Sequence, residues 1–131
     1  MDIISISIDK DTLKKLNDIQ RNLRFRSRSK MLRNAISSLL KDYEGMDSLA
    51  GHVESVFVLA YSESQKNHVS DLVHNFDDTI KTELHQHHHS GTCVDIINLD
   101  TTAQKTRDFF SAVKKSKFIY SVTYAIVHEK K

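Results

Sequence analysis

Residues 2–43 read DIISISIDKDTLKKLNDIQRNLRFRSRSKMLRNAISSLLKDY, and the fold turns on what this stretch can and cannot do alone. Its opening alternates: Ile4, Ile6 and Ile8 fall on one face of a strand, with Ile3, Ser5 and Ser7 on the other. Asp9 or Asp11 can cap the helix that follows. In that helix Leu13, Leu16, Ile19 and Leu23 recur at three- to four-residue intervals, which makes one apolar stripe. Beyond a basic loop, Ser27 is a suitable N-cap for a second helix with Met31, Leu32, Ala35, Ile36, Leu39 and Leu40 facing inward. That helix is predicted to run out near Tyr43, with Gly45 in the stop position.

Such a unit cannot stand alone. A single strand has nothing to pair with, and even a two-stranded ribbon is marginal in water. Two short amphipathic helices also leave too little core for so short a segment. The economical solution is a dimer in which Ile4, Ile6 and Ile8 pair antiparallel with the same residues of a second chain. A two-stranded ribbon fits the DNA major groove and would present Ser5 and Ser7 outward. Beside it, six basic residues and no acid lie between Arg21 and Arg33 (Arg21, Arg24, Arg26, Arg28, Lys30 and Arg33). A run of this kind is often only a solvated face, but next to a ribbon it reads as a phosphate-contacting corner.

Working outward, Glu44–His52 (EGMDSLAGH) holds two of the three glycines and reads as a linker, 47–52 being its core. It divides a DNA-binding unit, 1–46, from a second domain, 53–131. Val53–Tyr61 is β-branched and aromatic, hence a strand. Ser64 to about Phe76 has Val69, Leu72, Val73 and Phe76 spaced for a helix. Thr79–His87 alternates as a strand, His88–Gly91 is a turn, and Thr92–Leu99 is its hairpin partner. A helix over Thr101–Lys115 and a strand over Phe118–Val127 complete the order βαββαβ, the ferredoxin-like arrangement. The class is α+β.

Composition bounds the function. The chain has 131 residues, 39% hydrophobic and 27% charged, with a net charge of +2, an ordinary globular balance rather than a polycation. No apolar run approaches the roughly 20 residues that span a bilayer. The acids in MDIISISIDKD stand where a signal peptide needs a basic and then an apolar region, so no membrane partner is expected. One cysteine cannot make an internal disulfide, which fits a reducing cytoplasm.

What stands out is histidine: eight in all, six of them between His68 and His89. His85 and His87 are two apart on a strand and share a face, about 7 Å apart. Cys93 follows across the hairpin turn, where its thiolate can swing toward the same point, and His74 is a fourth candidate. Imidazole plus thiolate suits late divalent metals, zinc as a tetrahedron or nickel or copper as a square plane. His52, His68, His88, His89 and His128 read as surface histidines. An enzyme would need an open coordination position, which four protein ligands do not leave, and no paired carboxylates or nucleophile elbow appear near the histidines.

Residues 2–43, with outward Ser5 and Ser7 and the run Arg28-Ser29-Lys30-Met31-Leu32-Arg33 opening the second helix, resemble a ribbon-helix-helix DNA-binding domain. His74, then His85-x-His87, then Cys93 is similar to the high-affinity site of the nickel-responsive regulator (NikR) family, ribbon-helix-helix repressors with a ferredoxin-like (ACT-type) regulatory domain. The resemblance covers nearly the whole chain. It implies a homotetramer, a dimer of dimers, in which His85, His87 and Cys93 of one chain share a square-planar Ni(II) with His74 of a neighbour. It implies double-stranded operator DNA as partner, with Ile3, Ser5 and Ser7 at the bases and Arg28, Ser29, Lys30 and Arg33 at phosphates, and repression of metal-uptake genes as the output. Cu(II), Zn(II) or Co(II) could occupy the same ligands, and a metal carrier would lack the strand and basic patch. The chain departs from the family at Ile3, where a basic residue is common, so an apolar contact to a thymine methyl is expected there. It departs again at Lys30 and Asn34, where acids that hold a secondary cation are common, so that cation site is not carried over. The segment between His74 and the metal strand is a few residues shorter than in many members.

Overall fold

The computed structural model describes residues 1–131, which divide into two compact units, Met1–Gly45 and Met46–Lys131. In the first, helix α1 (Lys10–Asn22) begins at Asp9, whose carboxylate accepts from the Thr12 backbone N–H and from the Thr12 hydroxyl, each at 2.8 Å. At the far end Phe25 N–H donates to the Gln20 carbonyl at 3.0 Å and Arg24 N–H to that of Arg21 at 3.3 Å, the paired closure of a Schellman motif. Helix α2 (Arg28–Asp47) starts on Ser27, whose Oγ accepts from Lys30 N–H at 3.1 Å.

One expectation for this unit is corrected. Helix α2 does not stop at Gly45 but runs through it to Asp47. Met46, in the last turn, lies 3% exposed in the core cluster of the second unit. Burying a methionine contributes about 1.5–3 kcal/mol, which outweighs the roughly 1 kcal/mol cost of a helical glycine. Of the residues expected to face inward on α2, only Met31 is buried; Ile36, Leu39 and Leu40 are about half exposed or more, as are Ile4, Ile6 and Leu23. Residues 1–9 carry no strand within the chain. A strand is defined by its ladder hydrogen bonds, and a ribbon made of two copies is not something one chain can form.

The second unit is the expected βαββαβ. Its elements are β1 (His52–Ser62), α3 (Lys66–His74), β2 (Ile80–His87), β3 (Thr92–Thr102), α4 (Ala103–Lys114) and β4 (Ile119–Lys130). A short 3-10 turn, Glu63–Gln65, leads from β1 into α3. The antiparallel sheet has the order β2-β3-β1-β4. Strict alternation buries Val53, Phe57, Leu59 and Tyr61 of β1 and Cys93, Ile97 and Leu99 of β3 beneath Val69 and Val73 of α3 and Phe109 and Val113 of α4. Phe109 meets Phe57 edge-on at 4.9 Å and Phe76 edge-on at 5.2 Å, an arrangement that sets the positive edge of one ring against the negative face of the other. Strand β3 runs three residues past its expected end, and Thr102 caps α4 by accepting from Lys105 N–H at 3.2 Å.

The segment read as a linker is tied down instead. The Met46 and Leu49 carbonyls accept from Arg107 Nη1 at 3.3 and 2.7 Å, and Ala50 N–H donates to Glu129 at 2.8 Å. Ala103 N–H donates to the Gly51 carbonyl at 2.8 Å, and Leu49 is buried. These backbone groups, which a free linker would leave to water, have partners within the second unit. No helix of the chain is long and apolar enough to cross a membrane.

Candidate metal centre

The site is built by strand register. Across β2 and β3, His87 stands opposite Cys93 and His85 opposite Asp95, while Tyr61 of β1 stands opposite Cys93 from the other side. Directly opposed residues of an antiparallel pair point to the same face. All five side chains therefore gather on the helix-covered face, near the edge strand. The turn His88–Gly91 fixes that register: Gly91 N–H donates to the His88 carbonyl at 3.1 Å and His88 N–H to that of Thr92 at 2.9 Å. Gly91 takes φ +80°, a region that costs other residues strain.

Potential ligand atoms of His85, His87 and Cys93 all lie within 4.8 Å of one another. The Cys93 Sγ is 3.5 Å from His87 Nδ1, and the two imidazoles meet edge-to-face at 4.7 Å. Donors about 2.0–2.3 Å from one ion stand about 3.3–3.8 Å apart in a tetrahedron and up to about 4.5 Å apart when trans in a square plane. The cluster is able to hold a metal ion with small side-chain rotations.

Behind it lies a buried polar relay. Asp95 is only 3% exposed, and its carboxylate accepts from the Tyr61 hydroxyl at 2.8 Å and from the His85 Nδ1–H. With Nδ1 donating, His85 keeps the Nε2 lone pair for an ion, the orientation that a carboxylate partner gives a metal-binding histidine. Burial first, and then the Asp95 charge, pushes the Tyr61 hydroxyl pKa up, so it stays a neutral donor. Burial likewise raises the Cys93 thiol, with the Glu63 charge adding to it and Lys66 opposing it. An ion bound there has to displace the thiol proton. The sequence reading missed Asp95 and Tyr61. The signal was present in TCVDIINL, where Asp95 falls in the same alternate rank as Cys93, Ile97 and Leu99.

His74 is not among the three gathered residues. It ends α3, exposed, with Nδ1 2.8 Å from Asp77 Oδ2, and that hydrogen bond, followed by the Asp77 charge, raises its pKa. The other histidines have separate places. His52 pairs with Asp100, His68 stacks on Phe118 at 4.1 Å, and His88 and His89 are exposed at the turn.

In the first unit Ile3, Ser5 and Ser7 are exposed on the segment before α1. Arg28, Ser29, Lys30 and Arg33 are exposed around the first turns of α2, where backbone N–H groups lack intrahelical partners and favour anions. Arg28 is steadied by α1, its Nη2 donating to Asn17 Oδ1 at 2.9 Å.

Residues 3–43 match the family described as ribbon-helix-helix protein, copG family. The N-terminal domain is of that type. Three relatives named "Putative nickel-responsive regulator" (the first numbered 2) show how far the likeness extends. That of Methanosarcina mazei is 26% identical over 117 residues, 87% of this chain and 84% of its own. That of Methanothrix thermoacetophila is 28% identical, covering 73% and 71% of the two chains, and that of Methanocaldococcus jannaschii is 24% identical, covering 97% and 92%. The C-terminal domain thus resembles that of nickel-responsive regulator homologues. Among solved structures, an uncharacterized protein of Thermotoga maritima superposes with a TM-score of 0.54 at 11% identity, over 59% of this chain and 99% of its own, a likeness of fold alone.

Proposed function

We propose that this chain is a metal-responsive, sequence-specific DNA-binding regulator of transcription that senses nickel and represses metal-uptake genes. The observation that carries the reading is the convergence of His85, His87 and Cys93 under a buried Asp95 in a chain whose other unit is of ribbon-helix-helix type. The donor set fits: two imidazoles and a thiolate suit nickel, and equally copper, zinc or cobalt. When bound, the ion supplies a fixed joint between the residues that hold it. His85, His87 and Cys93 would hold it, with His74 completing the set from a neighbouring chain.

The DNA side of the reading rests on the first unit. Its exposed Ile4, Ile6, Ile36, Leu39 and Leu40 are apolar surface that a second copy would cover. Dimerisation would make a ribbon that sets Ile3, Ser5 and Ser7 at base edges, with Arg28, Ser29, Lys30 and Arg33 at phosphates. Two such dimers in one tetramer would grip two half-sites at a spacing the metal helps to fix, which couples metal affinity to DNA affinity in both directions.

The test is metal-dependent binding to a promoter fragment. Nickel should tighten binding of wild type and leave Cys93→Ala unaffected. Ser5→Ala or Ser7→Ala should relax preference by about 1–3 kcal/mol per contacted base pair, whereas Arg28→Ala should weaken all duplexes alike and flatten the salt dependence. Equal nickel response in Cys93→Ala, or unaltered preference in both serine variants, would sink the reading.

A further inference from the structure

Glu63 stands one residue beyond the end of β1, and its backbone is bound to the hairpin that spaces the candidate ligands: Glu63 N–H donates to the Gly91 carbonyl at 2.9 Å. Its Oε1 lies 3.8 Å from His87 Nδ1, the atom that is itself 3.5 Å from Cys93 Sγ. Two donors on one tetrahedral ion stand about 3.3–3.8 Å apart, so the carboxylate is already at ligand spacing from His87.

We infer that Glu63 is the fourth ligand of a same-chain site with His85, His87 and Cys93, the site taken by zinc or cobalt(II). This rests on the reading of those three residues as ligands and adds to it which ions need a second chain. Two imidazoles, a thiolate and a carboxylate form a tetrahedral set of a kind zinc accepts, with the oxygen at about 2.0–2.2 Å. Thiolate and carboxylate together cancel the charge of a dication. A set closed by His74 instead leaves one positive charge beside a sulfur buried in the core, an arrangement that is harder to accommodate. Ions content with a tetrahedron would then fill the site within one chain. An ion that demands a square plane of nitrogen and sulfur would gain nothing from Glu63 and would have to recruit a histidine from elsewhere.

Anaerobic titration of the full chain with Co(II), followed by its visible spectrum, tests this. Wild type and His74→Ala should both bind one Co(II) per chain with the intense d–d bands of a tetrahedral ion. Glu63→Gln should lose roughly ten- to hundredfold in affinity, the scale of loss seen even for outer partners of a metal site, and its bands should weaken. The Glu63 side chain is 62% exposed and its backbone contact is unaffected by the change, so far-UV circular dichroism should superpose on wild type. Wild-type affinity and bands in Glu63→Gln overturn the assignment, as does an equal loss in His74→Ala. Cys93→Ala separates the two levels. If it keeps the sulfur charge-transfer band, the three-ligand reading falls and this inference with it. If it loses the band while Glu63→Gln binds as wild type does, only Glu63 is wrongly placed.

Discussion

Asp95 carries a carboxylate into a core that includes Phe57, Leu59, Ile97 and Leu99, and its two hydrogen-bond donors explain how. Tyr61 supplies a neutral hydroxyl that burial keeps protonated, and His85 supplies the Nδ1–H. The carboxylate in turn selects the His85 tautomer. Asn at this position keeps the shape, but when its oxygen accepts from the Tyr61 hydroxyl its amide offers N–H to His85. His85 Nδ1 then becomes the acceptor and Nε2 carries the proton, which blocks it as a ligand. Asp95→Asn should therefore lower nickel affinity about ten- to hundredfold while leaving urea stability of the metal-free protein near wild type. Asp95→Ala should lose the same affinity and also destabilise, by about 1–3 kcal/mol for each donor left unpaired. Competition titration and urea unfolding measure both. Unchanged nickel affinity in Asp95→Asn would mean that Asp95 does not orient His85.

At the scale of elements, two glycines with similar backbone angles separate strain from crowding. Gly51 has φ +71° and Gly91 φ +80°, but a Cβ on Gly51 would meet the Lys130 carbonyl oxygen at 2.1 Å, while one on Gly91 meets nothing within 4 Å. Gly91→Ala should cost only the left-handed penalty, about 1–2 kcal/mol. Gly51→Ala should cost that and a further 1–3 kcal/mol of overpacking against backbone. Equal losses in urea unfolding would contradict the contact between the start of β1 and the end of β4. The same region shows why the sequence read well in some places and poorly in others. A half-buried strand prints its alternation on the chain, so Val53–Tyr61 and Thr92–Leu99 declared themselves, and a four-residue turn made the approach of Cys93 to His87 nearly a local matter. The linker did not declare itself, because what holds it is remote: Arg107 reaches Leu49 across 58 residues and Glu129 reaches Ala50 across 79. Helix α2 outran Gly45 for the same reason, its continuation being decided by where Met46 is buried. Tyr61 and Asp95, 34 residues apart, meet only once β1 and β3 are paired. The apolar face of α2 was legible as a pattern, yet Ile36, Leu39 and Leu40 stay about half exposed or more.

At the scale of the whole molecule, the question is where His74 acts. Within one chain it sits at the end of α3, hydrogen-bonded to Asp77, and outside the group formed by His85, His87 and Cys93. Its Nδ1 is occupied by Asp77, which leaves the Nε2 lone pair available to an ion, the same division of labour that Asp95 gives His85. A ligand prepared in this way but set apart from its own chain's cluster suits a neighbour's cluster, which is also what the family resemblance implies. Mixing decides it. Chains carrying His74→Ala are combined with chains carrying His85→Ala, His87→Ala and Cys93→Ala, each unable to complete a nickel site alone. If nickel is shared, mixed oligomers should regain a fraction of tight sites, built from the three intact ligands of one chain and His74 of the other. The sulfur-to-nickel absorption and nickel-dependent operator binding should return in proportion to that fraction. Mixed oligomers that form but recover no tight site would place all nickel ligands in a single chain, and the ion would then have to act on DNA binding without bridging subunits.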